Sequence, residues 1–192
     1  MSDTSSLGWR VPSALGAVAL AAAAAFAQGA PEVYNATASL KTAAGAAVTA
    51  PVVISIDRWT TDGEREKAVG ALKAGGTAAF QKEVGAMPDL GFLQVGQVKA
   101  PIRFARTLPV GGGKIVTVAT AQPVFHVGAG AVGAKPTAGY DVAVVIFQVD
   151  EAGKGDVGDF APAAKVKLDD RGAVVIEDYG AEAVRLVGVT KK

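Results

Sequence analysis

The sequence predicts a mainly β (α+β) fold, a single antiparallel β-barrel or sandwich of about eight to ten strands with one inserted helical hairpin. Three observations carry that prediction. Beyond residue 88 the chain is a succession of β-branched runs separated by Gly, Pro and Asp clusters. No helical period long enough for a parallel crossover lies between any two of those runs, which leaves antiparallel meander or Greek-key order. The stretch with helical spacing sits upstream of them, at about 61–87.

The N-terminal stretch reads as a leader rather than as part of the fold. Residues 13–27, SALGAVALAAAAAFA, form an uncharged Ala-rich run, the composition of the apolar region of a secretory signal. As a helix it would extend only about 22 Å, against about 30 Å of bilayer hydrocarbon, so cleavage is expected rather than a stable membrane anchor. Ala25 and Ala27 make an A-x-A site before Gln28, whereas a cut after Ala30 would leave Pro31 first. The expected organisation is a signal peptide at 1–27 and one β-rich domain at 28–192, exported to the periplasm or the cell exterior.

The domain opens with two strands, EVYNATASL and AVTAPVVISID, joined by a small-residue loop. In the second, Val52, Ile54 and Ile56 alternate with Val53, Ser55 and Asp57, giving one apolar face and one that turns polar. A helix start follows. Thr61 and Glu64 have the spacing of a capping box, in which each side chain accepts a hydrogen bond from the other residue's backbone N–H. Ala68, Val69 and Leu72 recur at helical spacing before Gly75-Gly76, where a left-handed cap is expected. A second helix from Thr77 places Phe80, Val84 and Met87 on one stripe and closes at Pro88. The pair is expected to lie over a sheet as an αα-hairpin.

Strands are then expected at 90–95, 102–107, 114–121, 139–150, 160–168, 173–177 and 184–189. PVGGGK at 109–114 and EDYGAE at 177–182 have the composition of hairpin turns, since Gly supplies the positive φ that tight turns need. The acidic stretch DEAGKGDVGD at 150–159 reads as a further hairpin connection. DVAVVIFQV at 141–149 is apolar on both faces, which requires a strand covered on both sides.

Composition narrows the function classes. Without cysteine there is neither a disulfide framework nor a thiolate metal site, and the roughly 165 residues after the leader bury enough core to fold without one. Lys+Arg number 19 against 18 Asp+Glu, and aromatics make up 6%, so the basic footprint and stacking platforms of a nucleic-acid binder are both missing. No nucleic-acid partner is expected. His126 is the only histidine, which argues for a structural hydrogen bond rather than a zinc site. Beyond the leader the serines are Ser39 and Ser55, neither in a G-x-S-x-G elbow, so the usual acyl-transfer nucleophiles are lacking.

Several motifs dissolve in their context. Residues 128–133 spell G-x-G-x-x-G, but the chain runs on into AKPTAG and a strand, with no helix to hold a pyrophosphate at its N-terminus. A Gly-rich loop is expected there, and no cofactor. Gly111-Gly112-Gly113-Lys114 lacks the Ser or Thr that follows the lysine of a phosphate loop. The stretch 150–159 departs from a calcium loop and carries Lys154 at its centre. Asp57 and the Glu177-Asp178 pair are acids at strand ends, without the spacing of an acid–base couple. No catalytic or metal-binding residue is assigned.

The segment IDRWTTDGER at 56–65 resembles part of an uncharacterised group of exported bacterial proteins, in which a strand ending in I-D-R and an aromatic residue feeds a capped helix containing E-R. The likeness runs on through Tyr179 to Val189. It implies bacterial origin and export, and it brings no activity, ligand or catalytic residue with it.

The leading expectation is therefore an exported, non-enzymatic binding or structural domain. The alternative is a β-barrel carrier of a small apolar or acidic ligand, with Arg58, Trp59, Arg103 and Arg106 decorating the mouth. A third reading is a carboxylate-based hydrolase. A lined cavity favours the carrier, a filled core the module, and two carboxyl groups facing one another across a cleft the enzyme. A small ligand or a protein partner suits the first two.

Overall fold

The structure, a computed structural model, describes residues 31–41, 47–125 and 137–192. The expected leader at 1–27, His126 and the glycine motif at 128–133 lie outside the described residues. The elements are β1 (Glu32–Lys41), β2 (Ala47–Ile56), α1 (Asp62–Gly85), β3 (Gly91–Val95), β4 (Val98–Val110), β5 (Gly113–Thr120), β6 (Val142–Asp150), β7 (Lys154–Leu168), β8 (Val174–Tyr179) and β9 (Val184–Lys191). All strand pairs are antiparallel, and β1 to β7 follow one another as a meander. The ring is closed by β9, which lies between β7 and β1. The result is a closed eight-stranded barrel with β8 as an additional strand.

Alternation along the strands sorts apolar residues into two layers. Tyr34, Ile54, Leu93, Val118, Phe147, Phe160 and Leu186, all at most 1% exposed, fill the interior. An eight-stranded barrel is just wide enough for side chains to fill it. Tyr34 meets Phe147 edge-on with ring centroids 4.9 Å apart. The second layer lies outside the wall, beneath α1. Strand β6 serves both: Ala143, Val145, Phe147 and Val149 belong to the interior, while Val142 and Val144 belong to the helix-covered layer. That is why its sequence is apolar on both faces.

The helical hairpin expected at about 61–87 is found as a single element, α1, broken at the predicted glycine pair. Gly75 (φ −148°, ψ 20°) and Gly76 (φ 65°, ψ −157°) leave helical geometry and kink it. Ala68 and Leu72 before the kink, and Phe80 and Val84 after it, enter one cluster with Phe104, Ala119, Val144 and Ala161. Thr77, next to the kink, accepts a hydrogen bond through its hydroxyl from the Val166 backbone N–H at 2.9 Å. The element leaves and rejoins the barrel at one point, where the Asp57 N–H donates to Leu90 O at 2.8 Å.

Two turn assignments need correction. Residues 177–182 do not reverse the chain, because β8 and β9 are successive pieces of one line along β7. Tyr179 stands opposite Ala164 and Val184 opposite Phe160, and the Gly180 N–H donates to Ala163 O at 2.8 Å between them. Gly180 is needed for room rather than for a turn, since a Cβ there would stand 2.6 Å from Cγ of Tyr140. The stretch 150–159 is likewise mostly strand. Its turn ends by Lys154, with Gly153 at φ 77°, and Gly155 and Gly158 lie within β7. A Cβ on those two would come within 2.1 Å of Gln148 O and 2.6 Å of the Phe147 Cβ. The β4–β5 turn at 109–114 is the expected hairpin, with Gly112 at φ 77°.

Candidate functional site

Polar side chains concentrate at two places, the connections of α1 to the wall and the barrel mouth. At the first, β3 begins at Gly91 opposite Ile102, so the β4 backbone beyond Ile102 lacks a β3 partner. The segment entering α1 takes its place. The Thr60 N–H donates to Ala105 O at 2.9 Å, and the Ala105 N–H donates to Thr60 Oγ1 at 2.8 Å. A bulge between Ile102 and Phe104 inserts Arg103 as an extra residue, which sends Ile102 and Ala105 inward and Phe104 outward beneath α1.

Three of the four residues expected to decorate a ligand mouth are committed here. Arg58 grips Glu64 with both guanidinium nitrogens, at 2.9 and 2.8 Å. Arg106 donates to Thr60 O at 3.0 Å and to Asp62 at 3.1 Å. Arg103 donates to Met87 O and pairs with Asp89 at 3.0 Å. They fasten the two ends of α1 and do not converge on a common rim. Glu64 also completes the capping box, accepting from the Thr61 N–H at 2.8 Å. The Arg58 hydrogen bonds, reinforced by Thr61 and outweighing the opposing effect of burial, bring its carboxyl down to about 2.

Trp59 turns the other way. It packs against the interior cluster, with the Lys114 Nζ 5.4 Å from its ring centroid. Beside it Glu32, at the start of β1, accepts from Lys114 at 2.8 Å and pairs with Lys191 at 3.0 Å. It also accepts a hydrogen bond from the hydroxyl of the fully buried Tyr34. Burial pushes the Glu32 carboxyl up, but its bonds to Lys114, Tyr34 and Lys191 outweigh that and hold it below the usual range. Tyr34 is raised by burial and by the adjacent carboxylate. This cluster and Trp59 cover the mouth. Outside it, a depression of ≈ 430 Å³ is bordered by Lys114 and Lys191 and by Asp150 and Glu151, charges of both signs.

Sequence reasoning missed Glu32, Lys114 and Lys191. The available signal was the alternation in β1, which puts Glu32 on the same face as Tyr34, Ala38 and Leu40. Two of the acids considered for catalysis have partners: Asp178 accepts a hydrogen bond from the Tyr140 hydroxyl at 2.5 Å, and Asp57 accepts one from Ser55 Oγ at 3.4 Å. Asp57 and Asp89 border one open depression of ≈ 380 Å³, where Asp89 is held by Arg103. Among the described residues no group of three or more His, Asp or Glu is placed to hold a metal, and no helix is long and apolar enough to cross a membrane. Comparison with protein-family profiles, with curated proteins and with solved structures gave no match to this chain.

Proposed function

We propose that the chain is an exported, non-enzymatic binding or structural domain, whose barrel interior is a core rather than a compartment and whose partners are met on its outer surface. The observation that carries this reading is the filled lumen. Tyr34, Phe147 and Phe160 occupy the space that a carrier would leave to its ligand, and Trp59 with the Glu32 cluster covers the entrance. The Ala-rich run at 13–27 supports export, and the likeness of IDRWTTDGER to exported bacterial proteins supports a bacterial source.

The test is a titration of the purified domain with oleate and with retinol, followed by NMR of the aromatic side chains. The expected result is no saturable shift of the Tyr34, Phe147 or Phe160 ring signals. Saturable one-to-one shifts at those rings would replace this reading with the lumenal carrier.

A further inference from the structure

The outer wall of the barrel holds a small cavity beside the N-terminal connection of α1. It lies between the first turns of α1, strands β4 and β5, and the turn joining β7 to β8, and its volume is ≈ 140 Å³. Phe104, Leu108 and Val174 give it an apolar lining. Three arginines, Arg65, Arg106 and Arg171, are among its lining residues. Arg106 is engaged by Thr60 O and Asp62, but neither Arg65 nor Arg171 has a carboxylate partner among the described residues. Arg65 spends one N–H on Gly172 O at 3.2 Å, and the exposed Arg171 side chain has no partner there at all.

The fourth feature is a hydroxyl. Thr117 on β5 lines the same cavity and is 8% exposed, yet its Oγ1 has no hydrogen-bond partner among the described residues. Buried polar groups are ordinarily hydrogen-bonded, so this hydroxyl takes its partner from outside the chain, from water or from a polar atom of a ligand that displaces it. The space suffices for a single ring, since an apolar cavity of about 150 Å³ accepts a benzene-sized body.

We propose that this cavity binds a small aromatic monocarboxylate bearing a ring hydroxyl. The carboxylate lies at the rim against Arg171 and Arg65, where planar guanidinium groups match its geometry. The ring rests on Phe104, Leu108 and Val174, and its hydroxyl meets Thr117. The proposal gives a ligand class to the outer surface and rests on the reading of the barrel as a packed binding domain.

The experiment is an amide NMR titration of the purified full chain with 4-hydroxybenzoate, benzoate and the neutral 4-hydroxybenzyl alcohol. Saturable shifts are expected at Arg65, Thr117, Gly172 and Val174, with 4-hydroxybenzoate binding more tightly than benzoate and the neutral compound not at all. Arg171→Ala removes an exposed side chain without a partner among the described residues, keeps the backbone N–H that donates to Asp169, and should weaken binding about tenfold or more. Thr117→Val should abolish the advantage of the ring hydroxyl. Equal binding of the neutral compound, unchanged affinity in Arg171→Ala, or no saturable shift at the cavity overturns the proposal alone. Shifts at Tyr34 and Phe147 instead would overturn the packed-interior reading with it.

Discussion

Glu32 on β1 and Lys114 on β5, strands on opposite sides of the ring, meet at 2.8 Å across the barrel mouth. An ion pair spanning a lumen reports on the shape of the whole barrel, because drift of either wall separates the charges.

The pair predicts how stability responds to acid. The folded-state pKa of Glu32 lies below its ordinary value of 4.5, and that of Glu64 falls to about 2. A depressed carboxyl stabilises the fold above its unfolded pKa, and the contribution is lost as pH falls through the folded value. Urea titrations at several pH values should show stability declining between 4.5 and about 2. The decline should be shallower in a Glu32→Gln/Glu64→Gln variant; an identical slope would show that neither carboxyl carries it.

Phe80 is fully buried beneath α1, edge-on to Phe104 with centroids 5.7 Å apart, whereas Lys73 is exposed. Phe80→Ala should cost about 3–5 kcal/mol in denaturant titrations, and Lys73→Ala less than about 0.5 kcal/mol. Equally mild effects would mean that α1 is not packed on the wall.

Thr60 should be sensitive for a different reason. Replacing it with the near-isosteric Val keeps the volume but removes the acceptor for the Ala105 N–H, a group on a fully buried residue. The expected loss is about 1–3 kcal/mol, the cost of stranding a buried donor. Hydrogen exchange at Ala105 should accelerate in step with it. Unchanged exchange would mean that the amide finds another acceptor.

Much of this architecture was legible in the residues. Both strands before α1, the capping box at Thr61 and Glu64, the break at Gly75-Gly76 and the doubly covered β6 all follow from periodicity and local chemistry. What stayed hidden depends on contacts between distant segments. Period-two reading puts Ile102 and Phe104 on one face, and the bulge at Arg103 separates them. Glycines 155, 158 and 180 look like turn residues, yet they serve close approach, which composition cannot distinguish from a turn. The ion pairs that the candidate arginines make with Glu64, Asp89 and Asp62 were not legible, because they are a property of the folded connections.

The proposed export makes its own prediction. The secreted product should begin at Gln28, and intact-mass analysis should give the mass of residues 28–192. A mature chain that keeps residues 13–27 would sink the leader assignment.

Closure of the ring by β9 fixes when the barrel can form. Its final seam joins Tyr34 to the register of Lys191, the first strand to the last, so the ladder remains open until the C-terminal segment is available. Such sequence-distant pairing is slow, because chain entropy is lost before the contacts are gained. The last strand of the chain is therefore also the last piece of the wall. The hydrogen bonds that complete the barrel act as its clock, since the ring cannot lock before β9 pairs with β1.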